Sequence, residues 1–139
     1  MNSKKRISWG SYALRIAQVA ALRSEDPWMQ VGACALNKSN RVIGVAYNGL
    51  ASGKNVPASF WEDRDARRPY MIHAETNLLS LFQKDECSLL ACTLLPCSAC
   101  ATMIAAYGIK TVVYNELYQR DTSAKKIFKF YGIDLVQIK

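Results

Sequence analysis

Apolar residues recur at near-helical spacing between Ile7 and Leu22, with Ile7, Leu14, Ala17 and Ala21 on one stripe, which predicts an amphipathic helix. The next two apolar runs, 31-VGACALN-37 and 41-RVIGVAYN-48, read as strands. Only Lys38, Ser39 and Asn40 separate them, so they form an antiparallel hairpin. The pattern then breaks over 49-GLASGKNVPASFWEDRDARRP-69, whose Gly, Pro and charge predict a long surface loop. Loops of that length in small domains often carry function. Periodicity resumes with a helix from Ala74 to Gln83, a strand within Ser88 to Leu95 and a helix from Ser98 to Tyr107 that Gly108 ends. A strand within Lys110 to Asn115 follows, then a helix capped by Asp121 that runs to Tyr131 and closes at Gly132, then a final strand, 133-IDLVQI-138. Helical crossovers separate the last three strands, so these run parallel, with helices on both faces of the sheet.

A chain of 139 residues with 50% hydrophobic content is expected to fold as one domain spanning 1–139, and no linker, repeat or low-complexity tract divides it. No apolar stretch approaches the roughly 18 residues of a membrane span, and the basic opening 1-MNSKKRISWGSY-12 lacks a leader's apolar core, so a soluble, cytoplasmic protein is expected. The formal charge of +7 favours anionic partners, while 64-RDARR-68 and 125-KKIFK-129 read as solvated faces. Five cysteines, two of them spaced C-x-x-C, fit metal or redox chemistry better than a disulfide framework. Cys34, Cys87 and Cys92 lie in apolar strand-like runs and read as buried small hydrophobes.

The single histidine, His73, opens one predicted helix in 73-HAE-75, and Cys97 and Cys100 open the next in 96-PCSAC-100. Cysteines three apart share one turn of helix, so both sulfurs reach one ion, and the imidazole supplies a third ligand of the kind zinc prefers. Three protein ligands leave the fourth tetrahedral position open, the mark of a catalytic rather than a structural zinc. Glu75, two residues past the histidine, is then placed to exchange protons with water there. A redox-active C-x-x-C, a structural histidine and a closed structural zinc are the competing readings. The combination of H-x-E with P-C-x-x-C, each half opening a helix, is the signature of zinc-dependent base deaminases.

Over nearly its whole length the chain resembles the deoxycytidylate (dCMP) deaminase family. The matching pieces are 23-RSEDP-27, 31-VGA-33, 47-YNG-49, 69-PYMIHAETN-77, 94-LLPCSACA-101 and 108-GIKTVVY-114. The resemblance implies a three-layer α/β fold of the cytidine deaminase superfamily, with a five-stranded mixed sheet in the order 2-1-3-4-5. It implies one catalytic Zn2+ held by His73, Cys97 and Cys100, and hydrolysis of dCMP to dUMP and ammonia with Glu75 as proton shuttle, a reaction that feeds thymidylate precursor supply. Arg23, Asn48, Ala74 and Tyr118 are the implied substrate contacts, Arg23 at the 5'-phosphate. The segment 50-LASGKN-55 departs from the family pattern but retains Gly53. With Lys54 and Asn55, that residue marks the place of a nucleotide effector site, where dCTP activates and dTTP inhibits in regulated members and Mg2+ accompanies the triphosphate. A homo-oligomer, with a hexamer favoured, is implied as well. A tRNA adenosine or other nucleobase deaminase and a non-catalytic zinc-binding module stay open beside this reading.

Overall fold

The computed structural model describes residues 5–139. Helix α1 (Trp9–Ala21) precedes the hairpin strands β1 (Gly32–Leu36) and β2 (Val42–Tyr47). After short 3-10 turns at Ala58–Trp61 and Arg68–Tyr70 come α2 (Ala74–Leu79), β3 (Leu89–Leu94), α3 (Ser98–Ala106), β4 (Thr111–Glu116), α4 (Ala124–Phe130) and β5 (Asp134–Gln137). The strands form one sheet in the order β2-β1-β3-β4-β5. β1 is antiparallel to both of its neighbours, and β3, β4 and β5 run parallel, as the crossovers predict.

Strand alternation sorts the core into two layers. Cys34, Leu36, Ala91 and Val113 face α1 and meet its Ala13, Leu14 and Ala17. Their neighbours Ala33, Ala35, Leu90, Cys92, Val112 and Tyr114 belong to the larger cluster that contains Leu78 of α2, Ile104 of α3 and Phe128 of α4. Cys34, Cys87 and Cys92 are buried free thiols, as expected of small hydrophobes. The close approach of α1 to the sheet requires Gly32, since a Cβ there would sit 1.8 Å from the carbonyl oxygen of Ala17. The hairpin turn is closed by the Asn37 carboxamide, whose Oδ1 accepts from the N–H groups of Ser39 and Arg41 at 2.9 and 3.0 Å. Asn40 supplies the left-handed residue at φ 60°.

Several boundaries differ from the expectation for local reasons. Helix α1 starts at Trp9 rather than Ile7, because the Ser8 hydroxyl caps it by accepting from the N–H of Ser11. Helix α2 ends at Leu79 rather than Gln83; the Ser80 hydroxyl donates to the Asn77 carbonyl at 2.6 Å, and the Leu81 N–H turns to Leu78. Phe82 leaves the helix to meet the edge of Tyr107. Ser123 immediately precedes α4, and Asp121, two residues earlier, accepts from its N–H with one carboxylate oxygen while the other reaches α3. Among the described residues no helix is long and apolar enough to cross a membrane.

Candidate active site

Helices α2 and α3 lie on the same face of the sheet, so their N-termini meet. His73 is the extended residue ahead of α2 (φ −69°, ψ 150°) and Cys97 occupies the same position ahead of α3 (φ −72°, ψ 171°). Cys100 follows one turn into α3. The Nδ1 atom of His73 lies 3.4 Å from the Cys100 sulfur and 3.6 Å from the Cys97 sulfur. All three ligand atoms fall within 4.8 Å of one another. In a tetrahedral zinc site, bonds of about 2.3 Å to sulfur and about 2.0 to 2.1 Å to nitrogen set the two atoms about 3.6 Å apart, so both nitrogen–sulfur distances match those one ion would span. Among the described residues no fourth His, Cys, Asp or Glu joins the cluster, which leaves one coordination position open.

Glu75 stands in the first turn of α2 and is only 4% exposed. Burial drives its carboxyl above the usual carboxylate range, and the nearby Cys97 adds to the effect. A buried carboxyl of raised pKa in a cavity is the kind of group that serves general acid-base exchange. Hydrogen bonding from Cys100, with His73 beside it, draws the Cys97 thiol down to about 4 against the opposing effect of burial. The same shared proton and burial push Cys100 up. One sulfur is thus already prepared as a thiolate, the form that binds metal.

A cavity of about 100 Å³ adjoins this centre. His73, Ala74, Glu75 and Cys97 line it together with Met29, Asn48, Leu95 and Tyr118, so the expected substrate residues Asn48, Ala74 and Tyr118 are all on its wall. Asn48 is held rigidly: its Oδ1 accepts from the Val31 N–H and its Nδ2 donates to the Met29 carbonyl, each at 2.9 Å. One amide hydrogen and one oxygen lone pair remain for a ligand. Arg23, in contrast, is exposed beyond the end of α1 and does not line the cavity. The loop residues Gly53, Lys54 and Asn55 are exposed and lie outside it too.

The cavity's guanidinium groups come from the segment read as solvated. Arg67 is 4% exposed and pairs with the 1% exposed Asp26; its Nε is 2.9 and 3.0 Å from the two carboxylate oxygens and its Nη2 is 2.9 Å from Oδ2. Asp26 also accepts from the Trp28 N–H at 2.8 Å, which fixes the turn that leads to Met29. Arg68 lines the cavity, its Nε bonds the Asp65 carboxylate at 3.0 Å, and its buried Nη2 has no protein partner. Tyr118 shares the cavity wall with it. A buried donor left unpaired is costly, so an unsatisfied guanidinium nitrogen at a cavity marks a place for an acceptor brought by a ligand. The sequence carries no local signal for the Asp26–Arg67 pair, whose members are 41 positions apart.

The cluster of His73, Cys97 and Cys100, the buried Glu75 carboxyl and the adjoining cavity fit the site of a zinc-dependent deaminase. The chain belongs to the family described as the cytidine and deoxycytidylate deaminase zinc-binding region, whose profile matches residues 7–116. It is 34% identical to the deoxycytidylate deaminase of Mus musculus over 149 aligned positions, which cover 96% of this chain and 83% of that protein. Among solved structures, the dCMP deaminase of cyanophage S-TIM5 in apo form superposes with a TM-score of 0.77 at 25% identity, over 93% of this chain and 96% of that one. The same phage enzyme in complex with dCMP and dUMP gives 0.73 at 28% identity, over 94% and 93%.

Removing one partner of a buried ion pair strands the other charge, at a cost of about 3 to 5 kcal/mol. Asp26→Ala should lower the unfolding free energy by about that amount in urea titrations, and Asp26→Leu combined with Arg67→Met should restore most of it. A loss below about 1 kcal/mol in the single variant is the behaviour of a solvated pair and contradicts the burial described above.

Proposed function

We propose that the chain catalyses hydrolytic deamination of dCMP to dUMP and ammonia, with His73, Cys97 and Cys100 holding one zinc ion. The observation that carries this reading is Glu75, a buried carboxyl of raised pKa beside the ligand triad and open to the cavity, which a structural zinc site or a binding module has no use for. The substrate is supported by the deoxycytidylate deaminases among the relatives and by the dCMP and dUMP of the phage complex.

Zinc bound at the triad supplies the Lewis acidity that makes water a nucleophile at neutral pH. The chain's own residues do the rest. Glu75 takes the proton released as water attacks C4 of the cytosine and delivers it to N3. As the bond between C4 and the exocyclic nitrogen breaks, the same carboxyl takes the remaining proton of the hydroxyl added at C4 and passes it to the amine, which leaves as ammonia while C4 becomes a carbonyl, so one group serves as base and then as acid. Asn48, braced by Val31 and Met29, offers its free amide hydrogen and lone pair to the nucleoside. Arg68 meets the 5'-phosphate with the nitrogen that has no protein partner, and Tyr118 stands beside it.

The segment 50–55 fits an effector loop on a homo-oligomer, a hexamer in the fullest form of this reading. Gly53 provides a left-handed turn at φ 84°, and Lys54 is exposed to meet a triphosphate with its Mg2+. Gly49 and Ile72 exchange backbone hydrogen bonds of 3.1 and 2.7 Å, which ties the loop to the residue preceding His73.

Glu75→Ala should retain about one zinc per chain while turnover of dCMP falls by about a hundred- to ten-thousand-fold, the usual worth of an acid-base group. Near wild-type turnover on dCMP, cytidine and a tRNA hairpin assayed side by side would sink the assignment of Glu75. Arg68→Ala should reduce kcat/KM for dCMP by about ten- to a hundred-fold and leave the slow reaction of deoxycytidine nearly unchanged, whereas Arg23→Ala should affect neither. Equal losses on both substrates in the Arg68 variant assign that residue to the pocket wall instead of the phosphate. Adding dCTP and dTTP with magnesium to the dCMP assay should raise and lower the rate respectively, and unchanged kinetics at saturating nucleotide retire the effector loop.

A further inference from the structure

Cys97 sits at the N-cap of α3, but its sulfur faces His73 and it makes no capping hydrogen bond, unlike Ser8 at α1. The first N–H groups of α3 therefore need a partner from elsewhere. Asp121, in the segment between β4 and α4, provides it. Its Oδ2 accepts from the N–H of Ser98, the residue that follows Cys97, at 2.8 Å across 23 positions of chain. Its other oxygen accepts from the N–H of Ser123 at 3.0 Å, so the carboxylate is held at both ends. The N–H of Asp121 closes a turn on the carbonyl of Tyr118 at 3.2 Å.

We propose that Asp121 is a positioning residue for the metal centre, fixing the start of α3 so that Cys97 keeps its place opposite His73 and tying that start to the Tyr118 wall of the cavity. The inference rests on the reading that His73, Cys97 and Cys100 hold zinc. An anion at the N-terminus of α3 also meets the positive end of the helix dipole. The hydrogen bonds from Ser98 and Ser123 hold the Asp121 carboxyl well below the usual carboxylate range, so the bridge is charged throughout the neutral region. Asp121 touches neither the ligands nor the substrate, and it acts through the backbone of Ser98. Groups that orient metal ligands in this indirect way are commonly worth about ten- to a hundred-fold in metal affinity.

The test is a zinc competition titration with a chromogenic chelator on the full chain, with the melting temperature of each metal-free form measured in parallel. Asp121→Ala should weaken zinc binding by about ten- to a hundred-fold. Asp121→Asn retains a neutral acceptor oxygen for Ser98 and should fall between the two, at about three- to ten-fold. A purely structural cap would lower the melting temperature of the metal-free form and leave zinc affinity unchanged; that result in the Asp121→Asn chain, or in a folded Asp121→Ala chain, overturns the proposal. If Asp121→Ala does not fold, Asp121→Asn alone decides. Wild-type chain that takes up no zinc overturns the zinc reading itself and this inference with it.

Discussion

The architecture of the site depends on one constraint, that the residues ahead of two different helices must face each other at the distance a single ion demands. His73 and Cys97 are both extended cap residues, and their separation of 3.6 Å is fixed by where α2 and α3 sit on the sheet and not by any contact between neighbours in the chain. That placement follows from the larger core, where Leu78 of α2 and Ile104 of α3 pack on the same strands. On the opposite face, α1 presses so closely that only Gly32 fits beneath it. The apolar layers thus set the polar centre, and the centre in turn places Glu75 in the first turn of α2, buried and beside the cavity.

Around that centre the molecule spends buried polar groups sparingly. Among the described residues only Asp26, Asn48, Arg67 and Glu75 are buried polar or charged side chains, and all four line the same cavity. Asp26 and Arg67 neutralise each other, and Asn48 is braced by backbone. What remains is Glu75, with no charged partner on the wall, and the unpartnered nitrogen of Arg68, one beside the His73–Cys97–Cys100 cluster and the other on the wall it shares with Tyr118. A ligand with a polar base at one end and an anion at the other satisfies both, which is the chemical outline of a pyrimidine nucleotide.

The cluster of His73, Cys97 and Cys100 and the neighbouring place of Glu75 were legible in the sequence because each is tied to a helix start, and a helix start has a local signature. The hairpin and the parallel run of β3, β4 and β5 were legible for a related reason, since a short turn and helical crossovers dictate them, whereas the order 2-1-3-4-5 came with the resemblance to the deaminase family. The cationic side of the cavity was not. Arg67 and Arg68 lie in a charged run that reads as solvated, and only a carboxylate 41 positions upstream draws Arg67 inside. The sequence reads Asp121 as a cap for the last helix, and one of its oxygens does accept from Ser123 at the start of α4; the other reaches Ser98 of α3, which a local pattern does not reveal. The family resemblance of 23-RSEDP-27 puts Arg23 at the phosphate, and the structure leaves it outside the cavity.

The central claim is that two sulfurs and one imidazole converge on a single zinc ion and leave a position open beside Glu75. X-ray absorption at the zinc edge of the loaded protein tests it most directly. The geometry predicts two sulfur scatterers at about 2.3 Å and two lighter nitrogen or oxygen scatterers at about 2.0 to 2.1 Å, one of them imidazole. A shell of four sulfurs, or one without sulfur, would contradict the account.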